Sequence, residues 1–235
     1  MDTDSNTSQL QVLDWIDGDM PYSTAFGDHF YCREDGRVEC GHVFHAGNGL
    51  PDRWDRQGEF VIGELGFGTG LNFCETWRVW KTTPHAGGRL HFTSFELFPM
   101  AQADIAKALA RWPEIALERQ ALLDAWPEAP QGTVTLSLAD DVTLSVVCGD
   151  ALANLTNRET LFDAWFLDGF APSRNPAMWS AELMAAVHDH TRPGGRFATY
   201  AAAGFVRRNL AAAGFVVERR PGFAGKREML CGARS

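Results

Sequence analysis

The stretch FVIGELGFGTGLNF, residues 60–73, decides the fold. Phe60, Val61 and Ile62 begin a short apolar run ending at Glu64, the pattern of a parallel strand buried on both faces. Gly66, Gly68 and Gly70 alternate behind it, and a helical stretch opens at Leu71. Glycine at such places lets the backbone turn sharply and come close to a ligand with no side chain in the way. Strand, glycine loop and helix start together make the frame of a nucleotide-type site. Dinucleotide folds show G-x-G-x-x-G with pyrophosphate on the helix N-terminus, whereas this chain reads E-x-G-x-G-x-G.

Working outward, residues 71–81 read as a helix, and residues 90–95 as the next strand with Glu96 at its carboxyl end. A carboxylate at the end of the second strand of a nucleotide-binding unit accepts hydrogen bonds from ribose hydroxyls. The bland alternative is a surface acid capping the helix after Pro99. Residues 101–112 and 113–126 read as two helices, and the alternating runs 133–138 and 142–147 as a hairpin-like insertion around Asp140 and Asp141. Cys148-Gly149-Asp150 ends the second run, where Asp150 is either a site acid or an ordinary turn aspartate. Residues 163–167 form the next buried strand and deliver Asp168-Gly169-Phe170-Ala171-Pro172, with Asn175-Pro176 starting another helix near Met178. Ligands sit beyond the carboxyl ends of parallel strands, so Asp168 points into the crevice of the glycine loop. Residues 192–195 read as a turn, 197–200 as a strand, 204–213 as a helix carrying Arg207 and Arg208, and 215–219 with 228–231 as two closing strands.

Ahead of the glycine loop, residues 1–58 read as a β-rich cap, with short strands at 26–31 and 43–46 and a hairpin turn at Asp35-Gly36. No linker or composition shift separates this cap from residues 59–235, the main domain. Disorder is expected only at the N-terminus. A chain of 235 residues buries nearly three quarters of its unfolded surface, on the order of 75%, enough for one α/β domain with an elaboration. With 45% hydrophobic and 22% charged residues, the composition is that of an ordinary globular protein. No run approaches the ~18 apolar residues of a membrane span, and residues 1–9 are polar and acidic where a signal peptide would be basic and then apolar, so a cytoplasmic protein is expected. Five cysteines without a C-x-x-C pair suit reduced thiols filling the core. Cys40, His42 and His45 lack a fourth partner for a metal, and none is expected.

A net charge of −9 argues against a general nucleic-acid coat. The distribution qualifies this, because residues 192–227 carry Arg192, Arg196, Arg207, Arg208, Arg219, Arg220, Lys226 and Arg227 against the single acid Glu218. A basic C-terminal third is either a polyanion footprint or a solvated face.

The glycine loop with its preceding acid resembles motif I of the class I S-adenosylmethionine (SAM) methyltransferases. The blocks HVFHAGNGLPDRW, GELGFGTGLNF, SFELFP, DAWFLDGFAPSRNPAMW, GFVRRNLAAAGF and GFAGKREMLCG resemble the methyltransferase domain of the MnmC family, which also occurs alone as MnmD. The likeness runs from about residue 22 to 232. It implies a Rossmann-like, mostly parallel α/β sheet with a terminal antiparallel strand pair. It also implies SAM as cofactor, held by Glu64, Gly66, Phe67, Gly68, Thr69, Gly70, Asn72, Glu96, Asp150 and Asp168. Within that pattern the acid before the first glycine lies near the cofactor's amino group and Asp150 faces the adenine. The implied reaction is methylation of the 5-aminomethyl group of the wobble uridine of tRNA, often 2-thiolated, giving 5-methylaminomethyl-uridine. Fused members continue into a flavin-dependent oxidase. This chain carries no second G-x-G-x-x-G, which leaves open a stand-alone form or a separate FAD-dependent oxidase as partner.

The chemistry follows from the substrate. A primary alkylamine is largely protonated near pH 7 and attacks only after losing a proton, so a carboxylate or backbone acceptor must stand beside it. Asp168 is the expected acceptor, with Phe170 and the carbonyls of Ala171 and Pro172 holding the amine. The Phe170 ring either stacks on the base or serves as a hydrophobic plug. Arg174, Arg207, Arg208, Lys226 and Arg227 are the expected tRNA contacts. Rival readings are a methyltransferase of small amine metabolites, an NAD(P) oxidoreductase and a catalytically silent tRNA-binding module.

Overall fold

The computed structural model describes residues 13–54 and 58–235. The expected N-terminal disorder falls outside the described residues. Strands β1 (Leu13–Ile16), β2 (Met20–Ser23) and β3 (Asp28–His29) form a small antiparallel sheet. The strand expected over 26–31 is thus only two residues long. Residues 35–48 depart further from the β-rich expectation. Asp35 is an N-cap and not a hairpin turn, its carboxylate accepting from the amides of Arg37 (2.9 Å) and Val38 (3.2 Å). It starts helix α1 (Gly36–Glu39), which continues through the π-helical turn Cys40–His45 into α2 (Ala46–Asn48). An aspartate preceding two free amides serves a helix start as readily as a turn, and the tryptophan Nε1 of Trp112 fixes the choice by donating to the same Asp35 oxygen at 2.9 Å. The apolar run at 43–46 is helical because Val43 and Phe44 are buried between this segment and the main sheet.

That sheet has eight strands in the order β10-β11-β9-β8-β4-β5-β7-β6. The strands are β4 (Glu59–Leu65), β5 (Arg89–Glu96), β6 (Thr133–Ala139), β7 (Val142–Cys148), β8 (Phe162–Leu167), β9 (Thr191–Thr199), β10 (Phe215–Pro221) and β11 (Glu228–Arg234). Strands β9, β8, β4, β5 and β7 are parallel to one another, β6 and β11 pair antiparallel with β7 and β9 at the two sides, and β10 pairs antiparallel with β11. The hairpin expected to be an insertion is therefore half integral: β7 lies in register on β5, and alternating β6 is the exposed edge. Residues 192–195, expected as a turn, lie within β9, where the pairing with β8 shifts register.

Helices α3 (Leu71–Thr82), α4 (Gln102–Leu109), α5 (Ala116–Ala125), α6 (Ala151–Thr156), α7 (Ala181–Asp189) and α8 (Gly204–Ala213) cover the two faces. Two apolar clusters result, one containing Phe60, Ile62, Phe92 and Phe166 and the other Val61, Leu65, Trp165 and Phe197. Strand β4 contributes to both because it is buried on both faces, as its unbroken apolar run predicts. All five cysteines are free thiols; Cys40, Cys74 and Cys231 are buried, whereas Cys32 and Cys148 are only partly so. Among the described residues no helix is long and apolar enough to cross a membrane.

Candidate active site

The chain leaves β4 toward α3 and its neighbours β5 and β8 lie on opposite sides of it, so a crevice opens at the carboxyl ends of the strands. Backbone hydrogen bonds lace those ends together: Gly66 N–H to Phe95 O (2.9 Å), Asp168 N–H to Leu65 O (3.2 Å) and Gly149 N–H to Glu96 O (2.8 Å). Gly66 has φ +94, and a Cβ there would stand 2.7 Å from the Asp168 carbonyl oxygen. This glycine is required by the approach of two protein loops. Gly68, at φ +51, lies under the Phe30 ring, which a Cβ would meet at 3.2 Å. A cavity of about 600 Å³ extends along this edge. Of the expected site residues, Gly66, Phe67, Gly68, Thr69, Asn72, Glu96, Asp150, Asp168, Phe170, Ala171 and Lys226 line it. Glu64, Gly70, Pro172, Arg174, Arg207, Arg208 and Arg227 do not.

Glu64 is fully buried behind the wall, where its carboxyl accepts from Ser94 Oγ (2.6 Å) and Asn72 Nδ2 (2.9 Å). The same Asn72 nitrogen donates to Asp168 Oδ2 at 2.6 Å. Glu64 thus reaches the cavity only through Asn72, which holds two carboxyl groups from adjacent strands. Burial pushes the Glu64 carboxyl well above its ordinary range. Asp168 stands on the cavity wall, and burial together with the nearby Glu39 carboxylate pushes it up from 3.8 to about 7, against the opposing pull of Asn72 and Lys226. Glu96 accepts from the amides of Gly68 (2.9 Å) and Phe98 (2.8 Å), and burial raises it despite these bonds. Asp150 caps α6 by accepting from the Ala153 amide at 2.8 Å while lining the cavity, so it is both a turn residue and a wall residue.

The loop after Asp168 is held from three sides. Phe170 stacks on Phe26 (4.8 Å between centroids) and meets Phe30 edge-on (5.1 Å), so its ring belongs to an aromatic wall. The buried Trp179 donates from Nε1 to the Phe170 carbonyl (2.9 Å), and Tyr200 Oη donates to the Gly169 carbonyl (2.7 Å). Asp28 accepts from the Ala171 amide (2.9 Å). The Ala171 carbonyl, expected to hold an amine, already accepts from the amides of Arg174 (2.7 Å) and Asn175 (3.0 Å), which engages both of its lone pairs. Asp168 remains on this loop as a carboxyl on the cavity wall.

The basic residues divide. Arg192 pairs with Asp163, Arg219 with Glu228, Arg220 with Glu218 and Lys226 with Glu39. Arg207, Arg208 and Arg227 make no ion pair with a described residue, and the first two lie in the opening turns of α8 at the same edge of the sheet as the cavity. Sequence reading missed Asp28, Glu39 and Tyr200 on the cavity wall. For Asp28 and Glu39 the only signal was the composition of the N-terminal segment, whose docking no local pattern announces, whereas Tyr200 directly follows β9.

The carboxyl set suits a cofactor bearing a sulfonium and an ammonium, and the cavity has the volume of a nucleoside-sized ligand. The profile described as S-adenosyl-L-methionine-dependent methyltransferase matches residues 113–235, just over half of the chain. The chain belongs to this family. Its cofactor is SAM, and the lining residues named above fit it. The tRNA 5-methylaminomethyl-2-thiouridine biosynthesis bifunctional protein MnmC of Chromohalobacter salexigens is 48% identical over 217 residues, covering 91% of this chain and 31% of that protein. The MnmC of Pseudomonas aeruginosa PAO1 is 46% identical over 228 residues, 95% of this chain and 35% of that one. The chain therefore spans about a third of the length of these relatives and matches their methyltransferase region. The crystal structure of MNMC2 from Aquifex aeolicus superposes with a TM-score of 0.74 over 96% of this chain and 70% of that chain, at 21% identity, which establishes the shared fold.

Proposed function

We propose that this methyltransferase acts on tRNA, transferring the methyl group of SAM to the 5-aminomethyl group of the wobble uridine, 2-thiolated or not, to give the 5-methylaminomethyl product. The observation that carries this is the 45–48% identity, over more than nine tenths of the chain, to proteins named for 5-methylaminomethyl-2-thiouridine biosynthesis. Bound SAM supplies an electrophilic methyl on its sulfonium. Glu96 and Asp150 hold the nucleoside end, while Asn72, with Glu64 behind it, fixes the end nearest Asp168. Asp168, with a carboxyl near 7, is matched to accepting a proton from an alkylammonium close to neutral pH. The remaining acceleration is positional: Trp179, Tyr200 and Asp28 lock the loop that presents Asp168, and oriented reactants gain roughly 7 to 11 kcal/mol in favourable cases.

Arg207, Arg208, Arg227 and Arg174 lie outside the cavity, where they serve as phosphate contacts. The reaction takes place in the cytoplasm, and an FAD-dependent oxidase, fused or separate, supplies the free aminomethyl group. Ion pairing of four of the eight basic C-terminal residues favours one second reading, a methyltransferase of a small amine. The deciding experiment is nucleoside analysis of tRNA lacking the final methyl after incubation with this protein and SAM, beside the free 5-aminomethyluridine nucleoside. Methylation of the tRNA alone supports the proposal. Methylation of the nucleoside alone supports the second reading, and methylation of neither refutes both.

A further inference from the structure

Lys226, expected as a tRNA contact, lines the cavity. Its Nζ lies 2.8 Å from Glu39 Oε1 and 4.2 Å from the centre of the Tyr200 ring. Glu39 comes from the N-terminal segment, 187 positions away, and its side chain is 11% exposed. Its second oxygen accepts from the Cys32 amide at 3.2 Å, so the carboxylate is fixed in place. Tyr200 is fixed too, through its hydroxyl on the carbonyl of Gly169, the residue after Asp168. A carboxylate and an aromatic face converging on one nitrogen are the two groups that bind an alkylammonium in a partly dry site. Acids on the cavity wall (Asp28, Glu34, Glu39, Glu96, Asp150 and Asp168) outnumber Lys226 and Arg33, so the field there favours a cation whichever one occupies it.

The lysine is held less firmly than its partners. Its side chain is 42% exposed, and it sits in the turn between β10 and β11 that holds Gly222, Gly225 and the left-handed Ala224 (φ 47). We propose that Glu39 and the Tyr200 ring form a primary-ammonium subsite beside Asp168, filled in this conformation by the Lys226 side chain and taken over by the substrate's protonated amine when Lys226 swings out. The subsite deepens the proposed amine methylation and rests on it for its natural ligand. Its function is to admit a substrate that carries an ammonium and to deliver the amine next to the acceptor. A wobble uridine lacking the aminomethyl group cannot displace Lys226, so the lysine contributes discrimination.

The test is chemical rescue of the full chain, with ethylammonium chloride as the probe and sodium chloride at equal ionic strength as the control. Lys226→Ala leaves Glu39 without its counter-charge and should lower Tm by a few degrees, on the order of 3 °C. Ethylammonium should restore at least half of that loss in a saturable manner. It should do nothing beyond sodium chloride for the wild type or for the double variant Lys226→Ala/Glu39→Gln. Rescue absent from the single variant, or equal in the double variant, overturns the subsite. A second measurement uses tRNA: Glu39→Gln should raise KM for aminomethyl-bearing tRNA roughly tenfold with a smaller change in kcat, and a fall in kcat alone would overturn the assignment. If the wild type transfers no methyl to tRNA, the tRNA reading fails while the rescue experiment still decides the subsite.

Discussion

Replacing Asp168 by asparagine removes one titration while keeping the shape of the side chain and the acceptor for Asn72 Nδ2 at 2.6 Å. In the folded protein burial and Glu39 hold this carboxyl at about 7, against 3.8 in a solvated chain. Between those values the folded state binds more protons than the unfolded state, so the stability tied to this group is complete below the unfolded value and is lost as pH rises toward 7. A shift of roughly three pKa units corresponds to about 4 kcal/mol in total, of which roughly 2 to 3 kcal/mol falls between pH 5 and pH 8. Asparagine does not titrate. Urea denaturation of the two proteins should therefore show the variant gaining about 2 kcal/mol on the wild type when pH is raised from 5 to 8. Glu64 and Glu96 also sit above their ordinary range, but they titrate in both proteins and drop out of the difference to first order. A difference that stays constant within about 0.5 kcal/mol, or that moves in favour of the wild type, refutes the assignment of a raised carboxyl at Asp168. In single-turnover methylation with SAM saturating, the asparagine should slow transfer and Asp168→Ala should slow it further, by ~10² to 10⁴-fold, with partial recovery at high pH.

Four further outcomes are expected. Gly66→Ala places a methyl group 2.7 Å from the Asp168 carbonyl at a left-handed φ, and should cost about 1 to 3 kcal/mol in urea denaturation and abolish SAM binding by calorimetry. Glu96→Ala removes a carboxylate that aligns the glycine loop and faces the cavity, so SAM affinity should fall roughly ten- to a hundredfold, and Glu96→Gln should lose less. Trp179→Phe keeps the buried ring but loses the bond to the Phe170 carbonyl; transfer should slow several-fold, with SAM affinity as in the wild type, and a change in SAM affinity alone would count against the loop-positioning role. Replacing Arg207, Arg208 and Arg227 by alanine should lower tRNA affinity and reduce the log-log salt slope by ~0.7 to 0.9 for each lost phosphate contact.

The glycine loop, the flanking strands and the positions of Glu96 and Asp168 were legible because they rest on local rules: apolar runs, turn residues and the carboxyl ends of parallel strands. Helix α8 was legible to the residue, bounded by Gly204 and by Gly214 at φ 114. What failed was tertiary. The strand expected at 43–46 became helical because its apolar side chains are buried against the main sheet, and Asp35 became a cap because Trp112, 77 positions away, shares its oxygen. Distance in sequence likewise hid the part of the cavity wall that the N-terminal segment supplies. Glu39 and Lys226 meet across 187 residues, so charge counting found the lysine without the cavity it lines.

The place of β11 between β9 and β10 bears on how the protein comes into being. Strand β10 is synthesised before β11 but has no partner in the sheet until β11 slots between it and β9. The turn that carries Lys226 is shaped only by that insertion, so the pairing of Glu39 with Lys226 joins two segments made 187 positions apart. A ribosome-bound chain halted before β11 would hold the glycine loop, Glu96 and Asp168 and still lack a closed site. Non-local closure of this kind is slow and leaves an unpaired strand edge open to other chains. Premature release would therefore yield an aggregation-prone chain with no turnover.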